Sequence, residues 1–393
     1  MADGSHIEWT DATWNPVTGC SVVSPGCTNC YAMKLAGTRL AHHPSRAGLT
    51  RDSNAGPVWT GEVRLNEEWL KQPLKWSKPR RIFVCAHGDL FHESVPDEWI
   101  DRVFAVMALA PQHTFQVLTK RSARMRDYLC TRAGDWRTVW PDANPTGSLP
   151  ISRHDQRLAM GERGAHVRPV VYPLHNVWLG VSVEDQRRAD ERIPDLLATP
   201  AAVRWISAEP LLGPINLERI GTLETVRKAL PSIVTQEMRG RPSSGNGSIS
   251  GVQIEATGSR NSSITFFQTP DHMGGFTANS PRAYPRLDWV VAGGESGPGA
   301  RPMHPDWARN LRDQCKEAGV PFLFKQWGDW VSELQSPPDA VLPGISRRAW
   351  AEQDEDGQFS NGDQTSVYRL GKKAAGRLLD GVLHDGYPKG KAE

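Results

Sequence analysis

The sequence has no stretch of about 18 or more apolar residues, the length that crosses a bilayer, so no transmembrane helix and no membrane partner are expected. Its first residues, MADGSHIEWTDATWNP, lack the apolar core of a secretory signal, and a cytoplasmic location is the expectation that follows. Neither sign of charge is in excess: 46 Lys and Arg stand against 44 Asp and Glu, a formal net charge of +2. That balance neither demands nor excludes a nucleic-acid partner, because a local basic patch can hide in a neutral total. Cysteine is scarce, with six residues in 393. In a reducing compartment, clustered cysteines bind metal or do redox chemistry more often than they form disulfides.

Three of the six crowd into one loop. GCSVVSPGCTNCYA, from Gly19 to Ala32, places Cys20, Cys27 and Cys30 in the spacing C-x6-C-x2-C. Three thiolates can hold metal in more than one way. A four-cysteine zinc site needs a second C-x2-C pair, which the chain lacks, while a Cys3His site would draw on His42 or His43. An iron–sulfur cube takes four thiolates as a rule, so three would leave one iron open to a small molecule. Three small buried cysteines without metal are the plain alternative.

Short β-branched and aromatic runs alternate with helical stretches. RIFVCA (81–86), TFQVLT (114–119), NVWLGVSV (176–183), VRWISA (203–208), LDWVVAGG (287–294) and VPFLFKQW (320–327) read as six buried strands. DEWIDRVFAVMALA, KRSARMRDYL, EDQRRADERIPDLLAT and PDWARNLRDQCKEAG have helical spacing. Strands alternating with helices point to βαβ units and a parallel sheet covered on both faces. Open sheet and barrel are not separated by the pattern.

Two stretches break the alternation. Residues 134–172 are rich in Arg, Pro, Gly and Asp, and residues 221–286 turn into a Ser/Gly/Asn/Thr-rich segment that cannot bury enough apolar surface to order itself. The expected organisation is a barrel part with the cysteine loop (1–220), an inserted, largely disordered segment (221–286), the rest of the barrel (287–330) and an extension with a basic helix (331–393). Fifteen tryptophans are many; Trp9, Trp14, Trp327 and Trp330 lie beside polar motifs, where core packing competes with base stacking.

Polar clusters follow nearly every strand: HGDLFHE, KR, EDQ, EPLLGP, ESGPGARPMH and KQWGDW. Sites in parallel α/β folds sit at that end of the strands. Asp89, Lys120, Glu209 and Lys325 are more than a connecting loop needs. Ser182 and Glu184 precede a helix, so N-capping competes with a binding role.

The segments IEWTDATWNPVTGC, GCTNCYA, GDLFHE, VLTKR, NVWLGVSVE, RWISAEPLLGPI, WVVAGGESG, RPMHPDW, PFLFKQWG and GKKAAGRLLDG resemble a phage-associated three-Cys-motif family of unknown function. That family is similar to radical S-adenosylmethionine (SAM) enzymes and, distantly, to the DNA-repair enzyme spore photoproduct lyase. The resemblance implies a partial (βα)6 TIM-like barrel of radical-SAM type with a long low-complexity insertion. It also implies a [4Fe–4S] cluster on Cys20, Cys27 and Cys30, with SAM at the open iron. Candidate cofactor contacts are then Asp89, Lys120, Ser182, Glu184 and Glu209. Candidate substrate contacts are Arg121, Lys325, Lys372, Lys373 and Arg377, the last three on an Ala/Leu-rich basic helix. No catalytic side chain is assigned. The function implied is repair or modification of DNA or RNA, served by an electron donor and a partner protein from a neighbouring gene. The competing functions are a zinc- or cluster-stabilised nucleic-acid-binding protein without catalysis, and a radical enzyme acting on a small molecule or a protein. The sequence departs from the usual radical-SAM spacing C-x3-C-x2-C, and Asn29 stands where an aromatic residue usually precedes the third cysteine.

Overall fold

A computed structural model describes residues 5, 7–132, 173–222, 253–254, 263–265, 286–335, 347–353 and 359–388. The 134–172 stretch, which breaks the alternation, and most of 221–286, expected to be a largely disordered insertion, lie outside the described residues.

Each apolar run forms a strand: β1 Ala12–Trp14, β2 Arg81–Val84, β3 Thr114–Thr119, β4 Val177–Ser182, β5 Val203–Ala208, β6 Trp289–Gly293 and β7 Phe322–Gln326. Within each compact unit described below, neighbouring strands follow the order of the chain. The four expected helices are α2 Asp97–Leu109, α3 Ser122–Arg132, α4 Gln186–Ala198 and α5 Pro305–Glu317; α1 Tyr31–Gly37 opens right after the cysteine loop. The fold is mixed α/β with parallel strands. The six expected strands gain a seventh, β1. Its three residues sit between Asp11 and Asn15–Pro16, too short and too polar in setting for an alternation to show, yet Ala12 and Trp14 are completely buried.

The chain divides into two compact units, residues 1–181 with 198–204, and residues 182–197 with 205–393. In the first, β1 pairs β2 in parallel (Ala12 with Ile82, Trp14 with Val84), and β2 pairs β3 (Ile82 with Phe115, Val84 with Val117). β3 pairs β4 through Val117 and Leu179. Ile100, Val103, Phe104 and Met107 of α2 are buried, and the rings of Phe91, Phe104 and Tyr128 meet edge-on or tilted at 6.0–6.5 Å. Each such side chain contributes about 1.5–3 kcal/mol when fully buried.

In the second unit, β6 lies between β5 and β7, all parallel. Trp205 and Trp289 are direct cross-strand neighbours with ring centroids 5.3 Å apart. Ala308, Leu311 and Cys315 are buried on α5. A three-stranded antiparallel sheet follows, β8 Trp330–Ser332, β9 Arg347–Gln353 and β10 Phe359–Arg369, with β10 in the middle.

The basic helix expected in GKKAAGRLLDG is only a stub, α6 Lys372–Ala375. Gly371 and Gly376 bound it at φ 83° and 72°, a conformation in which glycine ends helices. The leucines beyond it enter a hairpin instead, Leu378–Leu379 against Val382–Leu383.

The four tryptophans beside polar motifs settle as core. Trp9, Trp14, Trp327 and Trp330 are all buried. The indole N–H groups of Trp14, Trp327 and Trp330 donate to the carbonyls of Trp69, Leu378 and Ala300 at 2.7–2.8 Å. None of the four offers a face for stacking a base.

Candidate metal centre and strand-end clusters

The cysteine loop leaves β1 through Val17–Thr18, which pairs antiparallel with Arg64–Leu65. Gly19 then bridges Gly88, in the loop after β2. Gly19 is at φ 97°, and a Cβ there would lie 2.2 Å from the Glu62 carbonyl oxygen, so the entry to Cys20 requires glycine. A 3₁₀ turn, Pro25–Cys27, leads to Cys30, whose position just before α1 completes the loop. The amides of Cys27 and Cys30 donate to the carbonyls of Ser24 and Cys27, which links the last two cysteines through successive turns. Cys20 and Cys30 both pack against the apolar cluster of Ala32, Met33, Ala36, Leu49 and Trp59. Val22 and Val23, between the first two cysteines, are exposed.

Burial pushes the Cys20 thiol up to about 12; the Asp89 carboxylate adds to the rise and the Arg121 guanidinium opposes it. Burial also raises Cys30, against hydrogen bonds from the Met33 and Ala32 backbone. These thiols stay protonated at neutral pH unless a cation takes the proton's place.

Arg121 is the residue that ties the loop to the strand ends. One terminal nitrogen lies 3.3 Å from Cys20 Sγ and 3.2 Å from Asp89 Oδ2. The other donates to Ser21 Oγ at 2.6 Å and to the Ser21 carbonyl at 3.3 Å, and Nε reaches Glu93 Oε1 at 3.3 Å. Asp89 is a hub: Oδ1 accepts from Thr119 Oγ1 (2.7 Å) and the Phe91 amide (3.0 Å), and Oδ2 accepts from the Lys120 amide (3.1 Å) as well as from Arg121. Asp89 and Arg121 are both buried, and Lys120 is half-buried. Three strand ends, those of β1, β2 and β3, thus converge on the cysteine loop. Arg121 faces Cys20 and is enclosed, not set out toward a substrate.

Among the described residues, no group of three or more His, Cys, Asp or Glu is placed to hold a metal ion. His42 and His43 are exposed, and His43 Nδ1 is 2.7 Å from Ser45 Oγ. A tetrahedral zinc needs its ligands within about 2.3 Å of one point, and the loop does not draw them together so tightly. A cube of irons and sulfides spreads its thiolates over a larger cage. The donor set suits it: three cysteine sulfurs of one loop, two of the cysteines half-buried against an apolar cluster, with a guanidinium N–H on one sulfur.

In the second unit, Glu209, at the end of β5, accepts from Lys325 Nζ at 2.8 and 3.0 Å and from Gln326 Nε2 at 3.1 Å, at the end of β7. The two predicted residues are therefore partners of one another, and Gln326 joins them; nothing in KQW singled out its amide over its neighbours. Ser182 is buried at the end of β4. Glu184 is fully buried and pairs with Arg192 at 2.8 Å, while Asp185 caps α4 by accepting from the Arg188 amide. Glu184→Ala is expected to cost about 3–5 kcal/mol in chemical unfolding, because it leaves the buried Arg192 without its carboxylate; the double change Glu184→Met/Arg192→Met should recover most of that loss. Lys372 and Lys373 are exposed, and Arg377 pairs with Asp385. Sequence reasoning also missed Ser21, Glu93 and Thr119, which are common surface residue types that only the fold brings to Arg121 and Asp89.

A family model described as a protein of unknown function (DUF5131) matches residues 4–388, nearly the whole chain. No curated protein and no solved structure matches it.

Proposed function

The chain therefore belongs to the DUF5131 family, and we propose that it is a cytoplasmic iron–sulfur enzyme of radical-SAM type that repairs or modifies nucleic acid. The observation that carries this reading is the convergence on one loop of three cysteines and the carboxylate–guanidinium pair Asp89–Arg121, at the C-terminal ends of parallel strands. That is the end at which parallel α/β folds place their chemistry. Cys20, Cys27 and Cys30 would hold a [4Fe–4S] cluster, which when bound supplies an electron for reductive cleavage of the SAM sulfonium. The apolar cluster against which Cys20 and Cys30 pack shields these residues in part from water. Asp89 fixes the β2 and β3 ends against each other and orients the Lys120 backbone, from which the side chain would reach an anionic group of cofactor or substrate. The reduced protein is expected to release 5′-deoxyadenosine from SAM; a reduced, iron-loaded protein that leaves SAM intact would overturn the radical reading.

Nucleic acid as substrate draws support from the exposed pair Lys372 and Lys373. Affinity for DNA or RNA should fall steeply with salt as phosphate contacts release counterions. The double change Lys372→Gln/Lys373→Gln is expected to weaken binding and to lower the log–log salt slope by about 2, near 0.9 per phosphate contact. Arg377, held by Asp385, should contribute less. Anisotropy titrations of duplex, single-stranded and structured probes measure this. No binding to any of them at low salt, with SAM cleavage intact, would move the substrate to a small molecule or a protein.

A further inference from the structure

We propose that Arg121 is a positioning residue that sets the reduction potential of the group held by Cys20, Cys27 and Cys30. This inference rests on the cluster reading above. Arg121 donates to the sulfur of Cys20 and, with its other terminal nitrogen, to both the side chain and the carbonyl of Ser21. It therefore grips a ligand residue and the residue after it at once. Its own place is fixed from the strand side. Its amide donates to Thr119 Oγ1 at 2.9 Å, and that hydroxyl donates to Asp89. With only 7% of its surface exposed, water does not substitute for it.

A thiolate-ligated cluster becomes more negative when it takes an electron. An N–H donor and a full positive charge on one ligand sulfur stabilise that reduced form more than the oxidised one, so they raise the potential. Asp89 acts in the opposite sense from the same side, and Arg121 neutralises it. Removing Arg121 takes away the donor and also exposes the sulfur to an unpaired carboxylate. Both effects push the potential down. Lysine in its place keeps a charge but not the fork that reaches sulfur, serine and carboxylate together.

Anaerobic redox titration, followed by the visible absorption of the cluster, tests this with iron counted in every sample. In Arg121→Met the equilibrium constant for reduction is expected to fall at least tenfold, a midpoint about 59 mV or more lower for one electron. Arg121→Lys should fall between the two, and Arg121→Met/Asp89→Asn should regain part of the loss. Should Arg121→Met lose its iron, Arg121→Lys carries the test. An iron-loaded variant with the wild-type potential overturns the inference and leaves the cluster reading standing. A wild-type protein without iron overturns the cluster reading itself.

Discussion

Cys20→Ala, Cys27→Ala and Cys30→Ala are each expected to turn a brown protein colourless and to bring its iron from about four per chain to near zero. The three thiols sit on one loop, two of them against one apolar cluster, and the loss of one leaves two ligands, too few to hold a cube against chelation. The other cysteines differ in setting. Cys130 is exposed on α3, and its thiol faces the Ala198 carbonyl. Cys315 is buried on the apolar face of α5, where desolvation raises its thiol. Cys130→Ala and Cys315→Ala should keep full iron. Cys85 is the sharper comparison, because it directly follows β2 at φ 56° and burial pushes its thiol up to about 12. Cys85→Ala should also keep its iron. If it does not, the site has four cysteine ligands, no iron is left open, and SAM chemistry fails with it.

Gly19→Ala is expected to cost on the order of 3 kcal/mol or more and to lower iron content together with the melting temperature. Two effects add. The backbone at φ 97° costs about 1–2 kcal/mol for a residue with a Cβ, and that Cβ would meet the Glu62 carbonyl at 2.2 Å, which forces the strand pair Val17–Thr18 and Arg64–Leu65 apart. Gly48→Ala is the control. Its φ of 80° carries the same conformational penalty, but nothing stands within 4 Å of its Cβ, so about 1–2 kcal/mol is expected and no loss of iron. Equal effects of the two changes would show that the close packing at the loop entry does not matter. Thermal unfolding with iron analysis of both variants makes the comparison.

The six expected strands were legible because β-branched, aromatic and other apolar residues dominate each run, and the lone charges Arg81, Arg204 and Lys325 do not break it. β1 was not, because three residues between Asp11 and Asn15 carry no period. The C-terminal helix was over-read for the opposite reason: alanine and leucine content outweighed Gly371 and Gly376, whose positive φ stops the helix after one turn. Strand-end position drew attention to Asp89, Lys120, Arg121, Glu209 and Lys325, and the fold sets Asp89 against Arg121 and Glu209 against Lys325. Their partners were out of reach. Arg121 meets Asp89 from 32 residues away and Cys20 from 101, and Lys325 meets Glu209 from 116. No local pattern encodes which of several loop charges the fold will set against each other. Arg121 looked like a substrate contact because an arginine in a strand-end loop usually faces solvent, and here the cysteine loop covers it.

Metal and sulfide analysis of anaerobically purified protein tests the central claim most directly. About four irons and as many acid-labile sulfides per chain, with the broad visible absorption of an iron–sulfur cube, are the expected result. A colourless protein that carries a single zinc, or no metal at all, would contradict it.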